Sequence, residues 1–332
     1  MEKKVVIQGK DLCIGYRTGK KVKIVHQHLD FELRAGELTC LLGANGAGKS
    51  TLLRTLSASQ PSLGGELRML DKPVSEYTEK ERSRTIGVVL TDKTFAGGLS
   101  VYELVALGRQ PHTGFFGRLT KEDKRIVQEA MENVGIAHKA KNYTAELSDG
   151  ERQKVMIAKA LVQECPLILL DEPTAFLDVV SRIEIMHLLH RLATEQQKAI
   201  LLSTHDIEQA LVLSDKLWLL TKGKGLQCGV TEDIILNHRM DSLFPHKNIC
   251  FDYDHGVYYP TVIGHRRISV SCEDKTLLHW MMNALNRHGY QCTSTPEEEM
   301  PHIKASSAKE MNLNIQGKNI ICTSFEELLK QI

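Results

Sequence analysis

Gly43-Ala44-Asn45-Gly46-Ala47-Gly48-Lys49-Ser50-Thr51 constrains this chain more than any other stretch. It matches the phosphate-binding pattern G-x-x-x-x-G-K-[ST] without substitution. The apolar run Leu38 to Leu42 before it reads as a buried strand, and Thr51 to Leu56 after it as the first turns of a helix. A strand feeding a glycine-rich turn that opens a helix aims several backbone N–H groups and a helix N-terminus at one point, where a polyphosphate fits. Gly43, Gly46 and Gly48 let the backbone bend and approach the phosphates with no Cβ in the way. Lys49 is placed to reach the β- and γ-phosphates, and the Ser50 hydroxyl to ligate Mg²⁺.

At 332 residues the chain exceeds one ordinary domain. The expectation is one domain of about 240 residues and a smaller second one. The divide falls at 1–245 and 246–332, with a helical lobe over about 92–150. Hydrophobic content of 42% and charged content of 25% suit a soluble globular protein. A net charge of +1 argues against a general nucleic-acid binder. No apolar run approaches the roughly 20 residues that span a bilayer, and Met1-Glu2-Lys3-Lys4 is not followed by a secretory apolar segment. A cytosolic protein is expected, peripheral if it serves a membrane. The eight cysteines include no C-x-x-C pair, so they read as reduced structural residues.

Residues 1–40 alternate strand-like runs (5–7, 22–25, 29–33) with turns at 17–20 and 34–37. Tyr16 falls in a short loop between two runs, where its ring could stack on an adenine or plug a sheet edge. Pro61 to Gly65 reads as a turn before the strand-like Glu66 to Leu70, and Ile86 to Leu90 as a buried strand. From Leu99 to His138 the period turns helical. Val101, Leu104, Val105 and Leu107 form one apolar face, and Ile126, Val127, Ala130, Met131 and Val134 another. The exposed-looking run Gly108 to Gly117 interrupts them. A helical block set between strands of an α/β sheet suggests a lobe that meets a partner.

Leu147-Ser148-Asp149-Gly150-Glu151-Arg152-Gln153 opens the next helix, with Ser148 and Glu151 as a capping box. Leu167 to Leu170 is a fully apolar strand ending in Asp171-Glu172. A carboxylate at the end of such a strand, Asp171, is well placed to hold Mg²⁺. Glu172 beside it reads as general base for an attacking water, or as a solvated loop acid. Val179 to Ala193 is an amphipathic helix. The strand Lys198 to Leu202 leads into Ser203-Thr204-His205, so three strands end in polar groups on one sheet edge. That makes His205 a γ-phosphate contact. A hairpin over 216–229 and a short helix from Thr231 follow.

Together these motifs resemble the ATP-binding subunits of ABC transporters. The resemblance covers about residues 5–240: the phosphate loop, the signature at 147–153, the strand with Asp171-Glu172, the Phe176-Leu177-Asp178 loop and His205, in matching order and spacing. It implies an α/β P-loop ATPase core with an N-terminal antiparallel β subdomain and a helical lobe, binding ATP and Mg²⁺. By resemblance Tyr16 stacks on adenine, Glu172 is the catalytic base, His205 senses the γ-phosphate and Asp178 lies at the nucleotide. One chain carries one phosphate loop and one signature. Each site would therefore need Ser148 and Gly150 from a second copy, in an ATP sandwich that drives an integral-membrane permease through helices 99–135. A substrate-binding protein would be an indirect partner, and the place of work the cytoplasmic face of the bacterial inner membrane.

Two departures from the family pattern are informative. Its signature usually reads Leu-Ser-Gly-Gly-Gln, and the Ser148-Asp149-Gly150-Glu151 variant resembles subunits of importers for iron–siderophore, haem or cobalamin-type cargo. Gly108-Arg109-Gln110-Pro111 points the same way. Where the family has a glutamine that contacts Mg²⁺, this chain has Thr91, an oxygen with shorter reach. Residues 246–332 fall outside the family's minimal unit and read as a small α+β module with a regulatory or dimer-stabilising role. Strands are expected at 258–259, 267–271 and 319–323, and helices at 275–287 and 325–332. Two other functions meet this phosphate loop: a soluble ABC-type ATPase acting on nucleic acid or ribosomes, and a small-molecule kinase. The first tends to carry two cassettes or a coiled-coil insertion, absent here; the second leaves the signature and His205 unexplained.

Overall fold

The computed structural model describes residues 3–90, 98–114, 117–244, 248–260, 266–293, 295 and 300–332. Thr91 lies outside the described residues. The chain divides into two compact units, one of Met1–Pro245 with Phe251–Val257, the other of His246–Cys250 with Tyr258–Ile332.

The first unit opens with two long strands, β1 (Val5–Thr18) and β2 (Lys21–Arg34), then β3 (Glu37–Leu42) and α1 (Lys49–Leu56). After β4 (Gly64–Met69) and β5 (Lys72–Pro73) come α2 (Glu79–Thr85) and β6 (Ile86–Val89). The lobe supplies α3 (Val101–Ala106), a 3₁₀ turn at Leu107–His112, α4 (Lys121–Asn133) and α5 (Asp149–Leu161). The chain then runs β7 (Leu167–Asp171), α6 (Val179–Glu195), β8 (Ala199–Ser203), α7 (Ile207–Leu213), β9 (Lys216–Thr221), β10 (Gly225–Val230) and α8 (Thr231–Leu236).

Two sheets result. The antiparallel one has the order β2-β1-β4-β5, the other β10-β9-β3-β8-β7-β6. In the second, β9, β3, β8, β7 and β6 run parallel and only β10 is antiparallel. Its central strands are buried on both faces: all six residues of β3 and all five of β8 are enclosed. That is why they read as continuous apolar runs rather than alternating ones. One core joins Ile7, Leu29 and Phe31 of the antiparallel sheet to Leu52, Leu53 and Leu56 of α1 and to Leu169, Leu201 and Trp218 of the other sheet. Phe31 and Trp218 meet with ring centroids 4.9 Å apart. On the far face, α6 and α7 pack on β3 and α5 on β6.

The short N-terminal runs expected from sequence merge into two 14-residue strands. Bulges between Gly9 and Leu12 and between Ile14 and Gly15 break the alternation that would have marked them as continuous. Tyr16 is therefore in β1, paired with Lys23, and not in a loop.

Four helices, α2 to α5, open on capping boxes, at Thr78/Glu81, Ser100/Glu103, Thr120/Asp123 and Ser148/Glu151. In the lobe, Val101, Leu104 and Val105 are buried as expected, but Leu107 is exposed. The helix gives way to the 3₁₀ turn there, which rotates Leu107 off the apolar face. The run expected to be exposed also begins buried. A Cβ on Gly108 would stand 2.2 Å from the Lys159 carbonyl oxygen, so only glycine lets this turn lie against α5. Arg109 fills the space beside it. Its guanidinium donates to Asp123 Oδ1 at 2.8 Å, the Val162 carbonyl at 2.7 Å and Glu164 Oε2 at 2.6 Å. One buried cation thus ties the turn to α4 and to the end of α5.

In the second unit β11 (Ile249–Asp252) and β12 (Val257–Pro260) form a hairpin whose 251–257 part belongs to the first. The rest comprises β13 (Arg266–Cys272), α9 (Lys275–Arg287), β14 (Tyr290–Thr293), β15 (His302–Ser307), β16 (Glu310–Ile315), β17 (Lys318–Cys322) and α10 (Phe325–Gln331). The sheet order is β14-β13-β15-β16-β17. Ile268, Val270, Ile303, Met311 and Leu313 pack on Leu277, Met281 and Leu285 of α9 and Leu328 of α10.

Arg109→Ala is expected to destabilise the first unit by about 3 kcal/mol in urea unfolding, because it leaves the buried Asp123 carboxylate without its cation. Hydrogen bonds from the Thr120 hydroxyl and N–H, with Arg109, hold Asp123 down at about 2 against an ordinary 3.8. Its contribution is complete above the unfolded value and is lost as pH falls from 3.8 towards 2. Asp123→Asn should therefore lose less stability than the wild type across that window.

Candidate nucleotide site

The phosphate loop leaves the C-terminal end of β3 and closes into α1. Gly48, at the helix N-cap, has φ +105° and ψ 9°, a conformation open to glycine. A Cβ there would also meet Val25 Cγ1 at 2.8 Å and His26 Cδ2 at 3.2 Å. The Ala47 N–H donates to the Ala44 carbonyl at 3.0 Å, which curls the loop tip back on itself.

The loop forms one wall of a cavity of about 540 Å³. Ala44, Asn45, Gly46, Ala47, Gly48, Lys49, Ser50 and Thr51 all line it, opposite Tyr16, Lys23 and His26 of the β1–β2 hairpin. Glu172 and Lys222 close the rim. Gly43 supports from behind: its carbonyl accepts from Lys49 Nζ at 2.8 Å. Tyr16 and Thr51 are hydrogen-bonded through their hydroxyls, so the aromatic ring is anchored to the first turn of α1.

The neighbouring strand ends bring the remaining polar groups. Because β7 and β8 run parallel in register, Asp171 lies beside Ser203. The Ser203 hydroxyl donates to Asp171 Oδ1 at 2.6 Å, and the Glu172 N–H points at the same hydroxyl at 3.0 Å. Glu172 has φ +50°, which turns its side chain off the strand direction. Its Oε1 stands 2.8 Å from His205 Nε2, and that nitrogen stands 3.3 Å from Lys49 Nζ. Burial lowers the Lys49 pKa, while the Glu172 and Asp171 carboxylates pull it back up. The lysine, two carboxylates and the histidine thus form one electrostatically linked group.

Ser148, Gly150 and Asp178 are not among the residues that line the cavity. They gather elsewhere. Ser148 caps α5 and Asp178 caps α6, each accepting from the N–H three residues on. The Ser181 hydroxyl donates to Asp178 Oδ2 at 2.8 Å, and a Cβ on Gly150 would stand 3.0 Å from that hydroxyl oxygen. Two helix N-termini are therefore held side by side, with Phe176, Val179 and Val180 exposed next to them at 76%, 66% and 66%. Sequence reasoning did not single out Ser203, His26, Lys23 or Lys222. They belong to no short motif, and only strand pairing and the hairpin bring them to the site.

The family profile described as ABC transporter matches residues 26–175, and one described as iron ABC transporter C-terminal domain matches 265–332. The iron(3+)-hydroxamate import ATP-binding protein FhuC of Bacillus subtilis is 35% identical over 254 residues, covering 73% of this chain and 93% of FhuC. This chain belongs to the ATP-binding subunits of ABC transporters. It is an ATP-binding cassette with ATPase chemistry, and its second unit is a recognised domain rather than an unrelated appendage. The ferric enterobactin transport ATP-binding protein FepC of Escherichia coli is 37% identical over 238 residues, covering 72% of this chain and 86% of FepC. Among solved structures, the dimeric post-hydrolysis state of the ATP-binding cassette MJ0796 bound to ADP and Pi superposes with a TM-score of 0.59 at 25% identity. It covers 68% of this chain and 98% of that one.

Gly48→Ala is expected to weaken ATP binding at least about tenfold in isothermal titration, since the Cβ forces both a strained φ and a clash with β2. Gly46→Ala, whose added Cβ would lie 3.8 Å from Lys222 Nζ, meets only the strain of its φ of +71° and should lose less.

Proposed function

We propose that the chain powers an importer for an iron chelate by hydrolysing ATP between two copies of itself. The observation that carries this is the division of the site within one chain. The cavity gathers the phosphate loop, Tyr16 and Glu172, while Ser148, Gly150 and Asp178 sit together beside an exposed apolar patch. A second copy turned to face the first would lay its α5 and α6 N-termini over the γ-phosphate, where helix dipoles and free N–H groups favour negative charge. Phe176, Val179 and Val180 would be covered in the same step, and the dimeric state of MJ0796 supports the arrangement.

Within each composite site, Tyr16 would stack on adenine and Lys49 neutralise the β- and γ-phosphates. Glu172 would take the proton of the attacking water, and His205, in contact with both Glu172 and Lys49, would position the carboxylate. Mg²⁺ fits the donor set, since the Ser50 hydroxyl and the Asp171 carboxylate are the hard oxygens this cation takes. When bound it would offset charge on the transferring phosphoryl group. Thr91 would be a third oxygen donor.

The lobe of α3 and α4 would dock on an integral-membrane permease, with a substrate-binding protein as an indirect partner. No helix among the described residues is long and apolar enough to cross a membrane; the import roles of FhuC and FepC support a peripheral subunit at the cytoplasmic face of a bacterial inner membrane. The iron-chelate cargo rests on the import roles of FhuC and FepC and on the iron-transporter profile over 265–332. The 246–332 module would regulate the cassette or stabilise its dimer.

Glu172→Gln should lose turnover by about 100-fold or more while still binding ATP. Size-exclusion chromatography in ATP should then show it trapped as a dimer. Wild-type turnover from a monomeric mutant would contradict both the base and the sandwich.

A further inference from the structure

His26 stands on β2 at the wall of the nucleotide cavity, and the phosphate-loop pattern does not ask for it. It is only 6% exposed. Its Nε2 lies 2.6 Å from the Ala47 carbonyl oxygen. A carbonyl can only accept, so Nε2 carries the hydrogen and donates. This bond reaches the loop from outside its own backbone. Its target is informative. The Ala47 carbonyl and the Gly48 N–H belong to one planar trans peptide and point in opposite directions, so fixing the carbonyl fixes the N–H. That peptide leads into Gly48 at φ +105°, where a glycine free of constraint would sample many conformations. Val25 and His26 also stand against Gly48, 2.8 and 3.2 Å from where its Cβ would be.

We propose that His26 is a positioning residue for ATP, locking the Ala47–Gly48 peptide so that its N–H is aimed into the loop before nucleotide arrives. Without the lock, only a fraction of molecules would hold the binding-competent loop, and apparent affinity falls by that fraction. The effect belongs to binding and not to the chemical step, because the loop grips ground state and transition state alike. The proposal rests on this cavity being where ATP binds.

The test uses the full chain as wild type, His26→Leu and His26→Gln. Leucine keeps most of the volume without the donor, and glutamine restores a side-chain N–H. Titration calorimetry with ATP and with ADP gives affinities, steady-state assays give kcat and KM, and thermal melts of the nucleotide-free proteins report packing. His26→Leu should bind both nucleotides about tenfold more weakly, the loss expected for one buried hydrogen bond. Its kcat at saturating ATP should stay within about twofold of wild type. His26→Gln should recover most of the affinity. Equal affinity of His26→Leu and wild type would overturn the proposal. So would equal losses in both variants that track a fall in Tm, which would mark His26 as packing alone. A wild type that itself fails to bind ATP would overturn the cavity reading beneath it, an outcome the wild-type titration separates from the other two.

Discussion

Everything polar in the site depends on parallel strands ending at one edge of a buried sheet. Apart from Glu37 and Thr39 of β3, the strands β3, β7 and β8 are apolar until their last residue, because both faces are covered. Their ends are the first places where charge can reach water. The phosphate loop, Asp171 with Glu172, and Ser203 to His205 each follow one of these strands. Register then does the fine placement: the pairing of Asp171 with Ser203 sets the hydroxyl that binds the carboxylate and meets the Glu172 N–H. A one-residue slip between β7 and β8 would break the pairing of Asp171 with Ser203 and put their side chains on opposite faces.

The opposite wall is built differently. The β1–β2 hairpin contributes Tyr16, Lys23 and His26, a register shift between Ile24 and His26 breaking the alternation of β2, and α1 is pinned between that hairpin and the main sheet. Loop backbone, helix dipole and hairpin side chains therefore converge without any one element supplying the whole site. The signature helix contributes nothing to this cavity within its own chain. Its cap Ser148 and the α6 cap Asp178 each accept from their own helix and leave a paired, partly exposed end. Such a geometry suits a surface that is completed by a second molecule.

Much of this was legible in the sequence because local rules agreed. The phosphate loop, the apolar strands at 38–42, 86–90 and 167–170, the capping box at Ser148 and the helix at 275–287 all lie where the pattern put them. The failures have physical causes. Bulges hid the continuity of β1 and β2, and so Tyr16 was read into a loop. A change from α to 3₁₀ geometry moved Leu107 outward and drew Gly108 and Arg109 inward. In the second unit, β15 and β16 bury only Ile303, Ala305, Met311 and Leu313, too short and too polar an alternation to be recognised. Ser203 and His26 could not be found from spacing, since Ser203 acts across the β7–β8 pairing and His26 reaches from β2 to the Ala47 carbonyl, each far from its partner in sequence.

Whether one chain or two build the working site is decided by mixing Lys49→Ala with Ser148→Arg. Alone, each variant can form only dimers in which both sites are damaged. In the mixed dimer, one site joins an intact phosphate loop to an intact signature, while the other carries both lesions. Sedimentation in the presence of ATP should therefore show association in the mixture and none in either variant by itself. A mixture that sediments as the sum of its separate components would contradict a site shared between two copies.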